Sequence, residues 1–354
     1  MKGVILHGGS GTRLRPLTYS GPKQLIPIAN KPVSQYALED LVSCGVSEVA
    51  IVLGQTFPEL VRSYYGDGSK FGVEITYVQQ DEPKGIAHAI GLCEGFVGDD
   101  DFTVYLGDNM LQHGIGQHAA RFRTEHHDAM VLLKEVDDPS RYGVAQLDGS
   151  GKLVRLVEKP KEPPSRYAVI GIYFLRPSIF QSIESLKPSW RGELEVTDAI
   201  QGMIDRGLRV AYSHVGGWWF DTGKKDDILD VNALVLDERA TSDMAGEATG
   251  SKLSGRVQVA KGTKIVNSTV RGPVSIAEGC LIENSTIGPH TSIGGSSIVK
   301  DSSVEYCILL EGSEVNGVER LEDSLIGKYS KVSQKAQNRR TLKVHLGDYS
   351  EVVL

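Results

Sequence analysis

Cysteine is scarce in this chain of 354 residues, and the four present, Cys44, Cys93, Cys280 and Cys307, form no C-x-x-C pair. That scatter excludes a disulfide framework and a cysteine-built zinc site, and it fits reduced thiols in a reducing compartment. An excess of positive charge is also missing. Lys and Arg number 38 against 45 Asp and Glu, a formal net charge of −7, which argues against a nucleic-acid polymer or a membrane surface as partner. No run approaches the roughly 18 apolar residues that span a bilayer. The start MKGVILHGGSGT has no signal-peptide apolar region followed by a cleavage site. The expectation is a cytoplasmic protein with no membrane association. Two familiar nucleotide motifs are absent as well. No Gly-Lys-Ser/Thr triplet completes a Walker loop, and G-x-G-x-x-G starting at Gly9 meets Leu14 where its third glycine belongs.

What is present is GGSGTRLRPLTYSGPK at residues 8–23, directly behind the apolar run Gly3-Val4-Ile5-Leu6. A buried strand followed by a glycine turn and cations is the layout of a polyphosphate site. Gly8, Gly9 and Gly11 let backbone N–H groups approach phosphate oxygens without a Cβ in the way, and Arg13 and Lys23 add charge-assisted hydrogen bonds. The run fits G-G-x-G-T-R-L-x-P-x-T…P-K of sugar-nucleotide pyrophosphorylases. On these residues the chain resembles the glucose-1-phosphate thymidylyltransferase family, in its longer form with a C-terminal β-helix. His7 departs from that pattern, which usually has alanine or another small residue there.

A length of 354 residues favours two domains. Up to about residue 235, candidate strands Val4–Leu6, Val49–Leu53, Glu74–Val78 and Phe102–Leu106 alternate with candidate helices Val33–Cys44, Phe57–Tyr65 and Ile86–Phe96. Short apolar strands separated by helices predict an α/β domain with a mostly parallel sheet covered on both faces, with ligands at the carboxyl ends of the strands. Residues 241–250 are small and polar and read as a linker. Beyond them the pairs Asn267-Ser268, Asn284-Ser285 and Asp301-Ser302 recur every 17 residues. Aliphatics keep the same interval in three phases: Ile265, Ile282, Val299; Val270, Ile287, Val304, Leu321; and Ile276, Ile293, Leu310. This predicts a three-sided parallel β-helix. Asp323-Ser324 comes 22 residues after the third pair, so an extra rung or loop is expected to interrupt the register. The boundaries are therefore 1–240, 241–250 and 251–354. The resemblance implies a Rossmann-like nucleotidyltransferase domain first and a left-handed hand for the β-helix.

Gly107-Asp108-Asn109 ends one apolar strand, and Asp221 follows Trp218-Trp219-Phe220. From the residues alone, Asp108 either holds a cation over phosphates or caps the next turn, and nothing in the spacing brings it to Asp221. Two carboxylates would suit magnesium, which takes one or two together with phosphate oxygens and water. The resemblance implies that both bind Mg2+. Glu158 can accept from sugar hydroxyls and Lys159 can hold a phosphate, provided the strand ends between them; Pro160 favours an ending. The other reading is a surface ion pair. The resemblance implies that Tyr142, Gly143, Glu158, Lys159, Val169 and Arg191 bind the sugar phosphate. It implies that Gly8, Gly9, Gly11, Thr12, Gln24, Gln80 and Gly85 bind the nucleotide, with the Gln80 amide facing a pyrimidine edge. Arg13 and Lys23 are implied as catalytic, Arg13 at the leaving phosphates and Lys23 near the α-phosphate.

The implied reaction joins dTTP and glucose 1-phosphate. Three alternatives stay open: UTP or another hexose 1-phosphate, a second acyltransferase activity based on His290, and a non-catalytic regulatory subunit. A β-helix also predicts a homo-oligomer. Every candidate site residue precedes position 245, so the catalytic part is expected to be separable from the β-helix.

Overall fold

Alternating apolar strands and helices form the first half of the chain, and the 17-residue grammar forms the second. The computed structural model describes residues 1–9, 11–334 and 344–353. It divides into two units, Met1–Gly9 with Ser34–Asp221, and Ser10–Val33 with Thr222–Leu354.

In the first unit, nine strands among the described residues form one sheet. Glu74–Gln79, Glu48–Leu53, Lys2–His7 and Phe102–Leu106 lie side by side and parallel. Tyr167–Leu175 runs antiparallel to the last of these, and Ala129–Glu135 with Val210–His214 restores the first direction beyond it. Gly143–Leu147 and Leu153–Glu158 form a hairpin that joins at Val169↔Gly143. The apolar strands are buried because both faces are covered. On one face Val4, Val104 and Phe102 pack with Phe180, Ile200 and Met203, from helices Ser178–Glu184 and Val196–Asp205. On the other, Leu41 of helix Val33–Ser43 closes so tightly over Gly3 that a Cβ there would lie 2.9 Å from Leu41 Cδ1. The expected helix Ile86–Phe96 is two pieces, Ile86–Gly91 and Glu94–Val97. The Cys93 N–H turns to Ile90 O at 2.9 Å, a three-residue bond that ends the first piece. All four cysteines are free and buried.

In the second unit, short strands stack in parallel on three faces. Ile265↔Ile282↔Val299 and Val257↔Val274↔Thr291 are in register across 17-residue coils. The recurrent Asn and Asp take left-handed backbone at the corners, with φ of 47° at Asn267, 49° at Asn284 and 48° at Asp301, a conformation these side chains tolerate. The serines beside them form a ladder. Ser268 N–H donates to Ser251 Oγ at 3.0 Å, Ser285 N–H to Ser268 Oγ at 3.0 Å, Ser302 N–H to Ser285 Oγ at 3.2 Å and Val318 N–H to Ser302 Oγ at 3.0 Å. The hydroxyls of Ser268, Ser285 and Ser302 donate in turn to the carbonyl two residues earlier. The period thus records a buried hydrogen-bond chain as well as an apolar core.

Three expectations need correction. Residues 241–250 are not a linker. Asp243–Met244 and Glu247–Thr249 pair in parallel with Val257–Val259 and Lys264–Val266 and so begin the first coil. No extra rung stands between Asp301-Ser302 and Asp323-Ser324. One coil is a residue short, so Ile293 pairs with Leu309 instead of Leu310, and Val299 with Val315. Asp323-Ser324 sits on the next corner, where Ser324 pairs with Cys307 and Asp323 has the left-handed φ of 51° that Tyr306 also takes. Finally, helix Lys225–Arg239 and segment 10–33 fall in the unit of the β-helix instead of the α/β unit, so the chain does not divide at 240.

Ser285→Ala should lower the stability of the β-helix by about 1–3 kcal/mol, because it leaves the Ser302 N–H without its acceptor in a buried site. The urea midpoint checks this, and an unchanged midpoint would remove the ladder as a source of stability.

Candidate active site

Asp108 follows strand Phe102–Leu106 and is buried, 9 % exposed. The chain re-enters extended structure at once, and Asn109–Leu111 pairs antiparallel with Trp219–Asp221, setting Asp221 opposite Asn109. This pairing, which spacing could not reveal, sets Asp221 across from the residue that follows Asp108, itself in the turn before the strand. Asn109 ties Asp108 to the neighbouring strands. Its Nδ2 donates to Asp108 Oδ1 at 3.0 Å. Its Oδ1 accepts from Trp219 Nε1 at 2.7 Å and from the Gly171 N–H at 3.4 Å. Among the described residues no three His, Cys, Asp or Glu side chains form a group able to hold a metal. A pair of carboxylates fits magnesium, whose other ligands come from phosphates and water.

The Trp219 ring meets Tyr142 edge-on at 5.2 Å, which links the aspartates to a second cluster. Gly143 lies opposite both Glu158 and Val169. A Cβ on Gly143 would lie 2.5 Å from Thr197 Cγ2 and 3.3 Å from Glu158 Oε2, so no other residue fits without displacement. Glu158 Oε2 accepts from Thr197 Oγ1 at 3.1 Å. Lys159 adopts φ 40°, which breaks the strand alternation. Its Nζ lies 3.7 Å from Glu158 Oε1, so both side chains serve one side after all. Arg191 is 3.6 Å from Glu158, 2.9 Å from Glu193 and 3.2 Å from the buried Glu195. Burial and the charge of Glu195 push the Glu158 carboxyl above the usual glutamate range, while Lys159, Thr197 and Arg191 pull against them.

At the carboxyl end of Glu74–Gln79, Gln80 is buried. Its Nε2 bonds Gly85 O at 3.2 Å and His88 Nδ1 at 3.0 Å. Its Oε1 lies 3.7 Å from where a Cβ on Gly8 would stand. Gly85 has φ 107°, and a Cβ there would be 2.5 Å from Leu194 O. His7, beside Gly8, is buried edge-on against Tyr65 with ring centroids 5.8 Å apart. Burial pushes its imidazole down to about 3, which the charge of Asp108 opposes without prevailing. His7 is therefore neutral.

The glycine turn divides between the two units. Gly8 and Gly9 stay with the sheet, and Gly9 has φ 97°. Gly11, Thr12, Arg13, Lys23 and Gln24 belong to the second unit. There Gly11 has φ 60°, and a Cβ on it would strike Thr18 Cγ2 at 2.7 Å. Thr18 Oγ1 donates to Gly11 O at 2.8 Å, and short turns Thr12–Leu14 and Lys23–Leu25 follow. Arg13 and Thr12 are exposed, Lys23 is half-buried and Gln24 buried. A surface pocket of about 410 Å³ lined by Arg121, Lys152, Tyr212 and His214 shares none of the candidate residues.

Residues 2–238 match the model of the nucleotidyl transferase family. The chain belongs to that family. It is 42 % identical to a glucose-1-phosphate thymidylyltransferase of Streptomyces antibioticus over 99 % of each chain. It is 47 % identical to a low-salt glycan biosynthesis nucleotidyltransferase of Haloferax volcanii, covering 74 % of this chain and 73 % of that one. A solved Bacillus anthracis structure, described as a glucose-1-phosphate thymidylyltransferase with sucrose, matches with TM-score 0.62 and 43 % identity, covering 66 % of this chain and 94 % of that one. The resemblance read from the glycine turn is borne out. For a nucleotidyl transferase the sequence reading was incomplete in four places: Asn109, Trp219, Thr197 and Glu195. Asn109 and Trp219 adjoin the aspartates already singled out, and that adjacency was the available signal.

Glu158 also makes a pH test. A carboxyl whose folded pKa is raised favours folding while neutral, and that contribution is lost as pH rises from the ordinary glutamate value through the folded one. Glu158→Gln should therefore melt higher than wild type at pH 8, with the difference shrinking toward pH 4.5. Thermal unfolding at the two pH values checks it; a lower melting temperature at pH 8 would reverse the assignment.

Proposed function

We propose that this protein transfers a thymidylyl group from dTTP to glucose 1-phosphate, forming dTDP-glucose and pyrophosphate. The observation that carries the reading is the pairing of Asp221 with Asn109. It sets Asp221 across from Asn109, next to Asp108 in the chain, and the Trp219–Tyr142 ring contact links that ribbon to the cluster of Gly143, Glu158, Lys159 and Arg191. A sugar-phosphate oxygen attacks the α-phosphorus, the bond from that phosphorus to its bridging oxygen breaks, and pyrophosphate leaves with the electron pair. No protein nucleophile is needed because the attacking group is already an anion, so positioning and charge neutralisation supply the catalysis. Lys159 and Arg191 hold the sugar phosphate, and Glu158 accepts from a sugar hydroxyl. Val169 and Tyr142 wall the pocket. Arg13 takes the charge growing on the leaving phosphates, and Lys23 serves the α-phosphate. Asp108 and Asp221 would hold Mg2+, which neutralises phosphate charge when bound.

The base is read by Gln80. With Nε2 occupied by Gly85 and His88, the amide offers Oε1, which accepts from the imide N–H of thymine or uracil and meets no donor at the same place on adenine. UTP is thus the second reading. It is favoured by 38 % identity to a UTP–glucose-1-phosphate uridylyltransferase of Haloferax volcanii, over 64 % of this chain and 93 % of that one. The acyltransferase reading loses ground, since His290 Nε2 is engaged by Asp237 at 3.0 Å. No helix among the described residues is long and apolar enough to cross a membrane. Phosphorylated substrates make a cytoplasmic enzyme the fitting case. A homo-oligomer is part of the proposal, with the stacked, exposed Tyr329 and Tyr349 as candidate contacts.

Pyrophosphate release measured for four sugar phosphates against dTTP, UTP, ATP and GTP tests the reading, and turnover confined to another pair would replace it. Asp108→Asn and Asp221→Asn should each lower kcat by roughly 10²-fold, since a metal clamp supplies several kcal/mol. Wild-type turnover in either variant would remove that residue from the site. Gln80→Ala should erode the preference for dTTP over ATP by about 1–3 kcal/mol in kcat/KM, and unchanged selectivity would give base reading to the backbone.

A further inference from the structure

The β-helix holds the segment that carries Arg13 and Lys23 at two places. Near its middle, Ser20 Oγ donates to Asp348 Oδ2 at 2.6 Å, while Asp348 Oδ1 accepts from the Lys328 N–H at 2.7 Å. Asp348 therefore joins the loop to the backbone of a β-helix coil. Next to it, Gly347 closes on Pro16, where a Cβ would lie 3.0 Å from Pro16 Cβ. At its far end the segment makes a two-residue hairpin turn between Pro27–Ile28 and Lys31–Pro32. Ala29 and Asn30 there take φ 48° and 64°. A left-handed alanine costs free energy and persists only where neighbours over-determine it. Those neighbours are in the β-helix and the helix lying on it. The Ala29 N–H donates to Oδ1 of the fully buried Asn232 at 2.9 Å, and Asn232 Nδ2 donates to His290 O at 3.0 Å. Asn30 Nδ2 donates to Ser275 Oγ at 2.9 Å and to Ser275 O at 3.1 Å. Lys23 and Gln24 lie between the two anchors.

We propose that Asp348, with Asn232 and Ser275, is a positioning residue for the anion-binding segment, so that the β-helix sets the placement of Arg13 and Lys23. The catalytic part is then not separable at residue 245, contrary to the expectation from the order of the candidate residues. The cost of losing the clamp should fall on the triphosphate side of the reaction. The elements around Glu158, Lys159 and Gly143 belong to the other unit and are untouched by it. The assignment of the loop to the triphosphate rests on the proposed function; the clamp itself does not.

The test uses the full-length protein as wild type, Asp348→Ala, Ser20→Ala, the double variant and Asp348→Asn. In Asp348→Ala, amide hydrogen exchange across residues 11–26 should accelerate about tenfold with the melting temperature unchanged, because one clamp opens without unfolding the coil. Its kcat should fall about tenfold and its KM for dTTP should rise, since misplacement of a charge-neutralising group is felt in the transition state. The KM for glucose 1-phosphate should stay within about twofold. Ser20→Ala should behave alike, and the double variant should add little, as for two partners of one bond. Asn can accept from the Lys328 N–H and donate to Ser20, so Asp348→Asn should restore most of both readouts. Unchanged exchange in Asp348→Ala overturns the clamp. Faster exchange with unchanged kcat and KM for dTTP overturns its role in positioning. Wild-type protein that releases no pyrophosphate from any pair tested, with exchange still accelerated in Asp348→Ala, overturns the proposed function and leaves the clamp standing.

Discussion

The side chain of Asn109 is the junction on which the candidate active site depends. One amide reaches three elements: Asp108 in the turn before its own strand, the indole of Trp219 on the partner strand and the backbone of Gly171 in strand Tyr167–Leu175. An amide suits that position because it donates from nitrogen and accepts at oxygen, and all the groups it meets are buried or half-buried. The Asp108 carboxylate takes one of its hydrogen bonds from a neutral donor. Because Trp219 is held by the same amide and meets Tyr142 edge-on, the ribbon that carries Asp221 and the cluster around Glu158 are coupled through two rings.

The second cluster shows how charge is arranged before any ligand arrives. Glu158, Glu193 and Glu195 face Arg191, and Glu158 also faces Lys159. Three carboxylates around two cations hold long, flexible side chains in place and limit the freedom they retain. Desolvation raises Glu158 while the cations oppose it. The carboxylate is thus held in balance between accepting from a hydroxyl and pairing with a cation. Gly143 makes this possible by leaving room for Thr197 to bond Glu158.

In the β-helix, repetition solves a different problem. Each coil buries aliphatics inward but must also satisfy the backbone at its corners. The serine ladder does this by letting each hydroxyl accept from one coil and donate within its own. The chain is thereby tolerant of a coil one residue short, because Val318 N–H takes the place of the next serine. The same regular stack, with the helix Lys225–Arg239, supplies fixed points at Ser275, Asp348 and Asn232 for a segment 200 or more residues earlier in the chain.

Local signals were legible where one stretch of chain carries its own physics. Apolar runs of strand length, the glycine turn and the 17-residue period each follow from contacts that repeat or close nearby, and they led to the family, the α/β sheet and the β-helix. Even the bend between Glu158 and Lys159 could be anticipated from Pro160, although its form, a lysine at φ 40°, could not. What the sequence left open depends on long-range pairing. Asp221 is set across from the residue after Asp108 by a two-strand ribbon whose partners lie more than a hundred residues apart. The break in helix 86–96 and the shortened coil depend on which turn the surrounding core prefers. The attachment of residues 10–33 to the β-helix was invisible because Ser20, Asn30 and Asp348 are ordinary surface residue types. Their meaning comes only from the partner each finds when the distant coils stack beside them.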